Sequence, residues 1–386
     1  MKLWKKMLLT MVLVTSAEAE VSSQIQFENR FFFDNYQSNH LFSSISVETE
    51  YLKSSNEDRN LFTIKPFYRY DQKDSSRTHF DLREFSLTTA NDKMQWRIGR
   101  SKVFWGVNES IHLVDVINQT DSLENIDGED KLGQWMLSPT WYLPKGSVEV
   151  FLLPRFEERS FVSTKGRFSG GLNIDDENSM FEKDENHLDY ALRWNHQLGD
   201  SEMALSFFDG TSRTPDMIIS NSGRLTPFYR QAKQVGLEFN TILDNWSWKL
   251  ESIYKSFDQS INYFATVFGF EYTYYNYDSN GKDLGILLEY LYDSRGNSTV
   301  GAMDNLVFVG SRLSFNDVED SSILGGVLYD ISNDNIASFR LEASKRIQDN
   351  LKLELEANFF LSTSHVATFN SLRNDDYVEL SISYYF

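Results

Sequence analysis

The residues able to do chemistry are thinly and unevenly placed. Six histidines stand at His40, His79, His112, His187, His196 and His365. None sits in a His-x-Ser arrangement that would activate a hydroxyl nucleophile, and no two are spaced His-x-x-x-His to share a metal ion. The absence of cysteine removes thiolate nucleophiles, thiolate metal sites and disulfides. Acid–base catalysis needs groups that converge, and no spacing here makes them do so. The sequence therefore reads as a chain that is not an enzyme, with no catalytic residue, no metal ligand set and no cofactor.

What the chain does offer is charge set against charge. Segment 105–130 carries Asp115, Asp121, Glu124, Asp127, Glu129 and Asp130 among the apolar Val107, Ile111, Leu113, Val114, Val116 and Ile117. That apolar content predicts a segment packed against another surface, not a solvated loop. Cations precede it at Lys65, Arg69, Arg83, Arg97, Arg100 and Lys102. In an extended strand successive side chains point to opposite faces. If Phe62, Ile64 and Tyr68 share one face, Lys65 and Arg69 take the other; if Met94, Trp96 and Ile98 share one, Arg97 takes the other. A bulge around Arg83-Glu84 would re-aim Arg83, Arg100 and Lys102. Two outcomes follow for Asp115 and Asp121 facing these cations. An acidic segment folded against a basic wall can narrow a passage and select solutes, or the charges can simply pair and hold the segment down.

The elements that must position these groups are strands. At the C-terminus, Val378, Leu380, Ile382, Tyr384 and Phe386 alternate strictly with Tyr377, Glu379, Ser381, Ser383 and Tyr385. Such period-two patterning is a strand with one apolar and one mostly polar face. Leu351 to Leu361, Phe339 to Ile347, Leu188 to Trp194 and Trp246 to Leu250 repeat it. The pattern predicts strands over 24–33, 41–52, 60–71, 78–90, 93–104, 131–143, 147–157, 187–197, 202–210, 230–241, 246–257, 262–277, 283–292, 305–316, 322–330, 336–347, 351–363 and 376–386. Short connections such as Asn91-Asp92, Pro144-Lys145-Gly146 and Gln348-Asp349-Asn350 then all fall at one end, and long ones (105–130, 158–186, 211–229, 293–304, 364–375) at the other. This is the layout of a transmembrane, antiparallel, up-and-down β-barrel of about 18 strands; a count of 16 would satisfy the same parity. A barrel that wide encloses an aqueous lumen rather than a solid core.

Composition agrees. The 386 residues include 30 Phe, 19 Tyr and 8 Trp, yet mean hydropathy is only −0.43. That fits neither helical membrane proteins nor disordered chains, which are poor in aromatics. The formal net charge of −19 argues against a nucleic-acid partner, which needs a basic face. Residues 1–19 read as a signal peptide: Lys2, Lys5 and Lys6, an apolar run from Met7 to Val14, then Ala17-Glu18-Ala19 with cleavage after Ala19. The expected domain is then a barrel over 20–386 with long outer loops and an inward-folded loop 105–130. The acidic run Asp175 to Glu185 reads as a solvated loop, with divalent-cation bridging to lipopolysaccharide phosphates as the alternative.

Gly99-Arg100-Ser101-Lys102-Val103-Phe104-Trp105-Gly106, followed by Asp115-Val116-Ile117-Asn118-Gln119-Thr120-Asp121, resembles a poorly characterised family of porin-like Gram-negative outer-membrane barrels. Those carry a Gly-Arg…Trp-Gly segment and a downstream Asp-x-x-Asn-Pro-x-Asp turn. Arg213-Thr214-Pro215 and the stretch Tyr229 to Glu238 look similar too. Ser101 stands where the family often has Gln, and Gln119 where Pro is usual, so the turn geometry is not carried over. The abrupt C-terminal Phe386 likewise resembles the assembly signal of outer-membrane barrels. The resemblance implies a porin-like channel for passive passage of small solutes across the outer membrane. Its partners would be membrane lipid and lipopolysaccharide, the barrel-assembly machinery and the solute itself. Alternatives are a surface receptor or adhesin with a blocked lumen, acting through loops 158–186 and 211–229, or a barrel component of an envelope export system for lipidic compounds.

Overall fold

The computed structural model describes residues 19–386 apart from 35–39, 58, 170–171, 221–222, 298, 300, 333 and 362–370. Residues 1–18 of the expected signal peptide therefore lie outside the described residues. Twenty-one strands are present among the rest. They are β1 (Ala19–Phe32), β2 (Leu41–Ser55), β3 (Asn60–Asp71), β4 (His79–Ala90), β5 (Met94–Ser101), β6 (Gln134–Leu143), β7 (Gly146–Leu153), β8 (Met180–Phe181), β9 (Asp189–Leu198), β10 (Ser201–Thr211), β11 (Asp216–Ile219), β12 (Leu225–Tyr229), β13 (Gln231–Leu243), β14 (Trp246–Phe257), β15 (Tyr263–Tyr274), β16 (Asp283–Asp293), β17 (Leu306–Ser314), β18 (Ser322–Asp330), β19 (Asn335–Gln348), β20 (Leu351–Phe360) and β21 (Tyr377–Tyr385).

Eighteen of these form one antiparallel sheet, and three short ones (β8, β11, β12) form a small sheet among the long loops. Each wall strand pairs with its sequence neighbour in the wall. β1 also pairs with β21, from Gln24 opposite Tyr385 to Phe32 opposite Tyr377, so the sheet closes and no edge is left unpaired. The strand count is thus 18, not 16. Among the described residues no helix is long and apolar enough to cross a membrane.

Alternation sorts the two faces as the sequence pattern requires. On β21, Leu380, Ile382 and Tyr384 are exposed on the outside, with Phe386 just beyond, while Tyr377, Glu379, Ser381 and Ser383 are buried inside. The outer belt continues through Phe27, Ile45, Tyr68, Leu87, Ile98, Leu192, Leu205 and Val235. Near the short-turn end of β14 and β15, Trp246 stacks on Trp248 and meets Tyr272 at 4.6 Å, which in turn meets Tyr274. These form part of an aromatic rim.

Several wall strands stop short of their expected ends, β7 at Leu153 rather than 157 among them, and two of these shortfalls flank the inward loop. β5 ends at Ser101 rather than 104, and β6 begins at Gln134 rather than 131. The intervening segment, 102–133, leaves the wall and enters the lumen. The described residues of loops 158–186 and 211–229 hold a turn of 3-10 helix at Asp176–Asn178 and the small sheet.

Candidate functional site

The inward segment is built from its two roots. Asn118 ties them together: its Nδ2 donates to the carbonyls of Ser101 (2.9 Å) and Leu132 (2.8 Å), and its Oδ1 accepts the Val103 N–H (3.0 Å). Asp115 pairs with Lys131 at 3.0 Å and accepts from the Trp105 N–H at 3.4 Å. Gly106 has φ +144, and an added Cβ would sit 2.8 Å from His112 Nδ1, so the chain can turn there only as glycine. The Gly-Arg…Trp-Gly and Asp-x-x-Asn stretches therefore act as a clamp at the foot of the loop. Next to Asn118, Gln119 accepts two guanidinium hydrogen bonds from Arg159, at 3.2 and 3.1 Å.

The apolar side of the loop explains why it folds inward. Trp105, Val114, Val116 and Ile117 are fully buried against Met136, Phe151, Ala191, Phe208, Ile253 and Ala265 of the inner wall. Burying one such side chain contributes roughly 1.5–3 kcal/mol. Backbone amides freed by the irregular path are met by two wall carboxylates. Glu251 on β14 accepts from Val107 (2.8 Å), Asn108 (3.0 Å) and Val114 (3.3 Å). Glu289 on β16 accepts from Glu109 (2.7 Å) and Ser110 (2.8 Å). His112 lies between Glu129 at 3.2 Å and Glu251 at 3.9 Å. Burial opposes its charge, but the close Glu129 carboxylate and the more distant Glu251 raise its pKa to about 10, so it stays an imidazolium near neutral pH.

Opposite β1–β4 the loop's acidic tip meets the basic wall. Arg69 grips Glu124 with two hydrogen bonds of 2.8 and 2.7 Å and reaches Glu28 at 2.9 Å. Arg83 bridges Glu48 (2.6 Å) and Glu124 (3.2 Å), with its guanidinium 3.6 Å over the Phe67 ring. Arg77 adds Glu28 at 2.6 Å and Asp71 at 3.1 Å. Arg30 contacts Glu379 and donates to the Glu124 carbonyl. Burial opposes the charge of Glu124, but the arginines led by Arg69 outweigh it and hold the carboxyl down at about 2. On the far wall Arg340 pairs with Asp127 at 2.7 Å.

The structure places the predicted site residues in different surroundings. Lys65, Arg69 and Arg83 do gather in the lumen; Lys65 pairs with Glu48 at 3.4 Å and Glu50 at 3.6 Å. Arg83 is the extra residue of a β-bulge, because the β3–β4 register steps from Glu84 directly to Leu82. Arg97 lies on the inner face, since Trp96 and Ile98 are exposed outside, and has no ion pair among the described residues. Arg100 closes the β5 end against Asp81 (3.1 Å) and Glu157 (2.9 Å). Lys102 lies just past β5, where burial and the neighbouring Arg83 lower its pKa. Asp115 is a fastener at the root of the loop. Asp121 is buried and turns its Oδ1 to the Leu123 N–H at 3.3 Å; burial and the nearby Glu124 raise its pKa.

Glu28, Arg30, Glu48 and Glu379 were not expected as site residues. The first two could have been, because Gln24, Gln26, Glu28 and Arg30 alternate with Ile25, Phe27, Asn29 and Phe31. Glu289 carries no such signal. It lies on the inner face of β16 between the equally apolar Leu287 and Leu291, while Leu288 and Tyr290 face outward.

Two of the chambers that border the loop differ in character. One, of about 240 Å³, is polar and lined by Gln24, Gln26, Ser46, Glu48, Arg83 and Asp130 among others. The other, of about 390 Å³, lies against β17–β20 and mixes Glu109, Arg340 and Glu342 with Phe308, Leu324 and Leu328. Toward the long-loop mouth, Phe168 packs on Phe32 and Tyr377 while Arg167 pairs with Asp375 at 2.9 Å. Among the described residues no cluster of His, Asp or Glu has the makings of a metal site. The acidic run is partly structural: Asp175 pairs with Arg224 at 2.7 Å, and Asp176 accepts the Phe161 N–H at 3.0 Å.

No protein-family model matches the chain, and no curated protein matches it. Solved structures do. A BenF-like porin from Pseudomonas fluorescens Pf-5 aligns over 96% of this chain and 98% of its own, with 12% identity and a TM-score of 0.56. An engineered variant of a Rhodopseudomonas blastica porin aligns over 96% and 100% with 10% identity, but its TM-score of 0.45 is too low to bear on the argument. At such identities the likeness is one of fold: a porin-type barrel.

Proposed function

We propose that this chain is a channel of the bacterial outer membrane through which small solutes pass passively, with segment 102–133 as its constriction. The observation that carries the reading is a closed 18-strand wall, apolar outside and ionised inside. An outer belt of this kind is stable only against lipid, where a closed barrel leaves no backbone group unpaired. An inner face bearing Glu28, Glu48, Arg69, Glu251 and Glu289 calls for water or a polar solute. The BenF-like neighbour is a porin by name, which supports the same reading. Residues 1–19 would direct export, and the strand ending at Phe386 would be read by the assembly machinery before the belt meets lipid and lipopolysaccharide. Nothing in this function calls on a catalytic group.

A receptor with a closed lumen is the second reading. It draws on the loop's attachment to opposite walls at Arg69, Glu251, Glu289 and Arg340, and on the 154–188 loop lying at the mouth. Reconstitution in planar bilayers separates the two. Stepwise conductance supports the channel; a silent barrel that binds its ligand through the long loops supports the receptor.

A further inference from the structure

At the long-loop end of the lumen lies a recess of about 170 Å³, between β14–β16 and the inward loop. Lys255, near the outer end of β14, stands opposite Gln234 and Tyr263 in the ladder and shares their inward face. It is only 6% exposed and has no hydrogen bond or ion pair among the described residues; the contact it does make is with the Phe257 ring, at 5.7 Å. Arg213 enters from the loop after β10. It is fixed by the Ile117 carbonyl (3.0 Å), the Thr211 carbonyl (2.9 Å) and Asp189 (3.2 Å), yet its buried Nη2 has no hydrogen-bond partner among the described residues. Arg295 enters from the loop after β16, paired with Asp293 and 3.8 Å over the Tyr263 ring. The positive fields of Arg295 and Arg213 both bear on Lys255.

The anions around this recess are already matched. Asp293 serves Arg295, Asp189 serves Arg213, Asp115 serves Lys131, and Glu251 and Glu129 serve His112. Lys255 and one edge of Arg213 are left over. A buried cation without a counter-charge is costly, and both groups border open space into which an anion fits. The rest of the wall is mixed: Leu113, Val116, Ile253, Ala265, Val267 and Leu291 supply an apolar patch beside Gln234, Thr266 and the already paired Asp115 and Asp293. The recess is small beside ligand pockets of roughly 300–1,000 Å³.

We infer that this recess binds a small organic carboxylate with an apolar body, the carboxylate on Lys255 and Arg213 and the body on the wall of β14–β16. As a step in passage it rests on the channel reading; as a binding site it does not.

Ligand-observed NMR titrations of the full barrel in detergent test it, with hexanoate, acetate and hexanol as probes. Hexanoate is expected to bind more tightly than either, since acetate lacks the body and hexanol the charge. Lys255→Met is expected to weaken hexanoate at least about tenfold, as loss of a charge-assisted hydrogen bond does, while Lys255→Arg retains it. Heat-dependent gel mobility verifies that each variant is a folded barrel, and Lys255→Gln serves as a second charge-removing variant should Lys255→Met fail to fold. Hexanoate binding that is unchanged in the folded charge-removing variant, or matched by hexanol, overturns the site; equal binding of acetate overturns the apolar part. Conductance is recorded on the same samples. A conducting barrel with Lys255-independent binding removes this site and leaves the channel, whereas a silent barrel that binds hexanoate through Lys255 removes the channel and leaves the site.

Discussion

Arg69 ties the loop to the wall, since one guanidinium serves Glu124 of the loop twice and Glu28 of β1 once. Removing it leaves two buried carboxylates short of a partner, which costs about 3–5 kcal/mol for an ion pair of this kind. Arg69→Ala is therefore expected to lower the thermal unfolding midpoint in detergent, whereas Arg97→Ala, which breaks no ion pair, leaves it unchanged; equal midpoints for both would contradict the network. Asp130, on the inward loop, gives the pH response. Burial, with Glu124 and Asp127 nearby, pushes its carboxyl up to about 6. A raised carboxyl pKa means that the ionised form is disfavoured in the folded state, so its penalty is present above pH 6 and lifts as pH falls through that value. The polar chamber loses one negative charge over the same window, and cation preference falls. Reversal potentials measured on either side of pH 6 should show this step, and Asp130→Asn should flatten it; a step of the same size in Asp130→Asn assigns it elsewhere. The inward direction of Lys65 and Arg69 was legible because alternation fixes which face a side chain takes; that of Arg83 was not, because a bulge there breaks the alternation. Nor was that of Arg77, because it stands in a connection where no periodicity applies.

At the scale of elements, the loop and the wall are tied by long-range contacts. Glu251 and Glu289 lie 143 and 180 residues from the amides of Asn108 and Glu109 that they receive. The sequence shows that segment 105–130 is too apolar to be solvated, and the wall is where it packs. It does not show the destination, because inner-wall apolar residues such as Phe151 and Ile253 read as ordinary strand positions. Nor does it show that β5 and β6 release the chain early, at Ser101 and Gln134, to form the Asn118 clamp. Replacing 106–130 with a short Gly-Ser linker is expected to raise single-channel conductance several-fold, because the wall closes without the loop. Unchanged conductance in the shortened protein would show that the constriction lies elsewhere, for example in loop 154–188.

For the molecule as a whole, period two carried nearly everything. All 18 wall strands coincide with alternating segments, and the parity of short and long connections put both ends of the chain on one rim. The aromatics belong largely to the outer belt, and the low mean hydropathy averages an apolar outside with an ionised inside. Register, closure through β1 and β21, and the division of the lumen depend on which strands meet, which no local pattern encodes. The account stands on one claim, that solutes move through this barrel past its inward loop. The direct test is single-channel recording of the purified full-length protein in planar bilayers. Discrete, ohmic conductance steps whose size tracks bulk electrolyte conductivity are the predicted result. A correctly folded, membrane-inserted barrel that stays electrically silent in every electrolyte would contradict it.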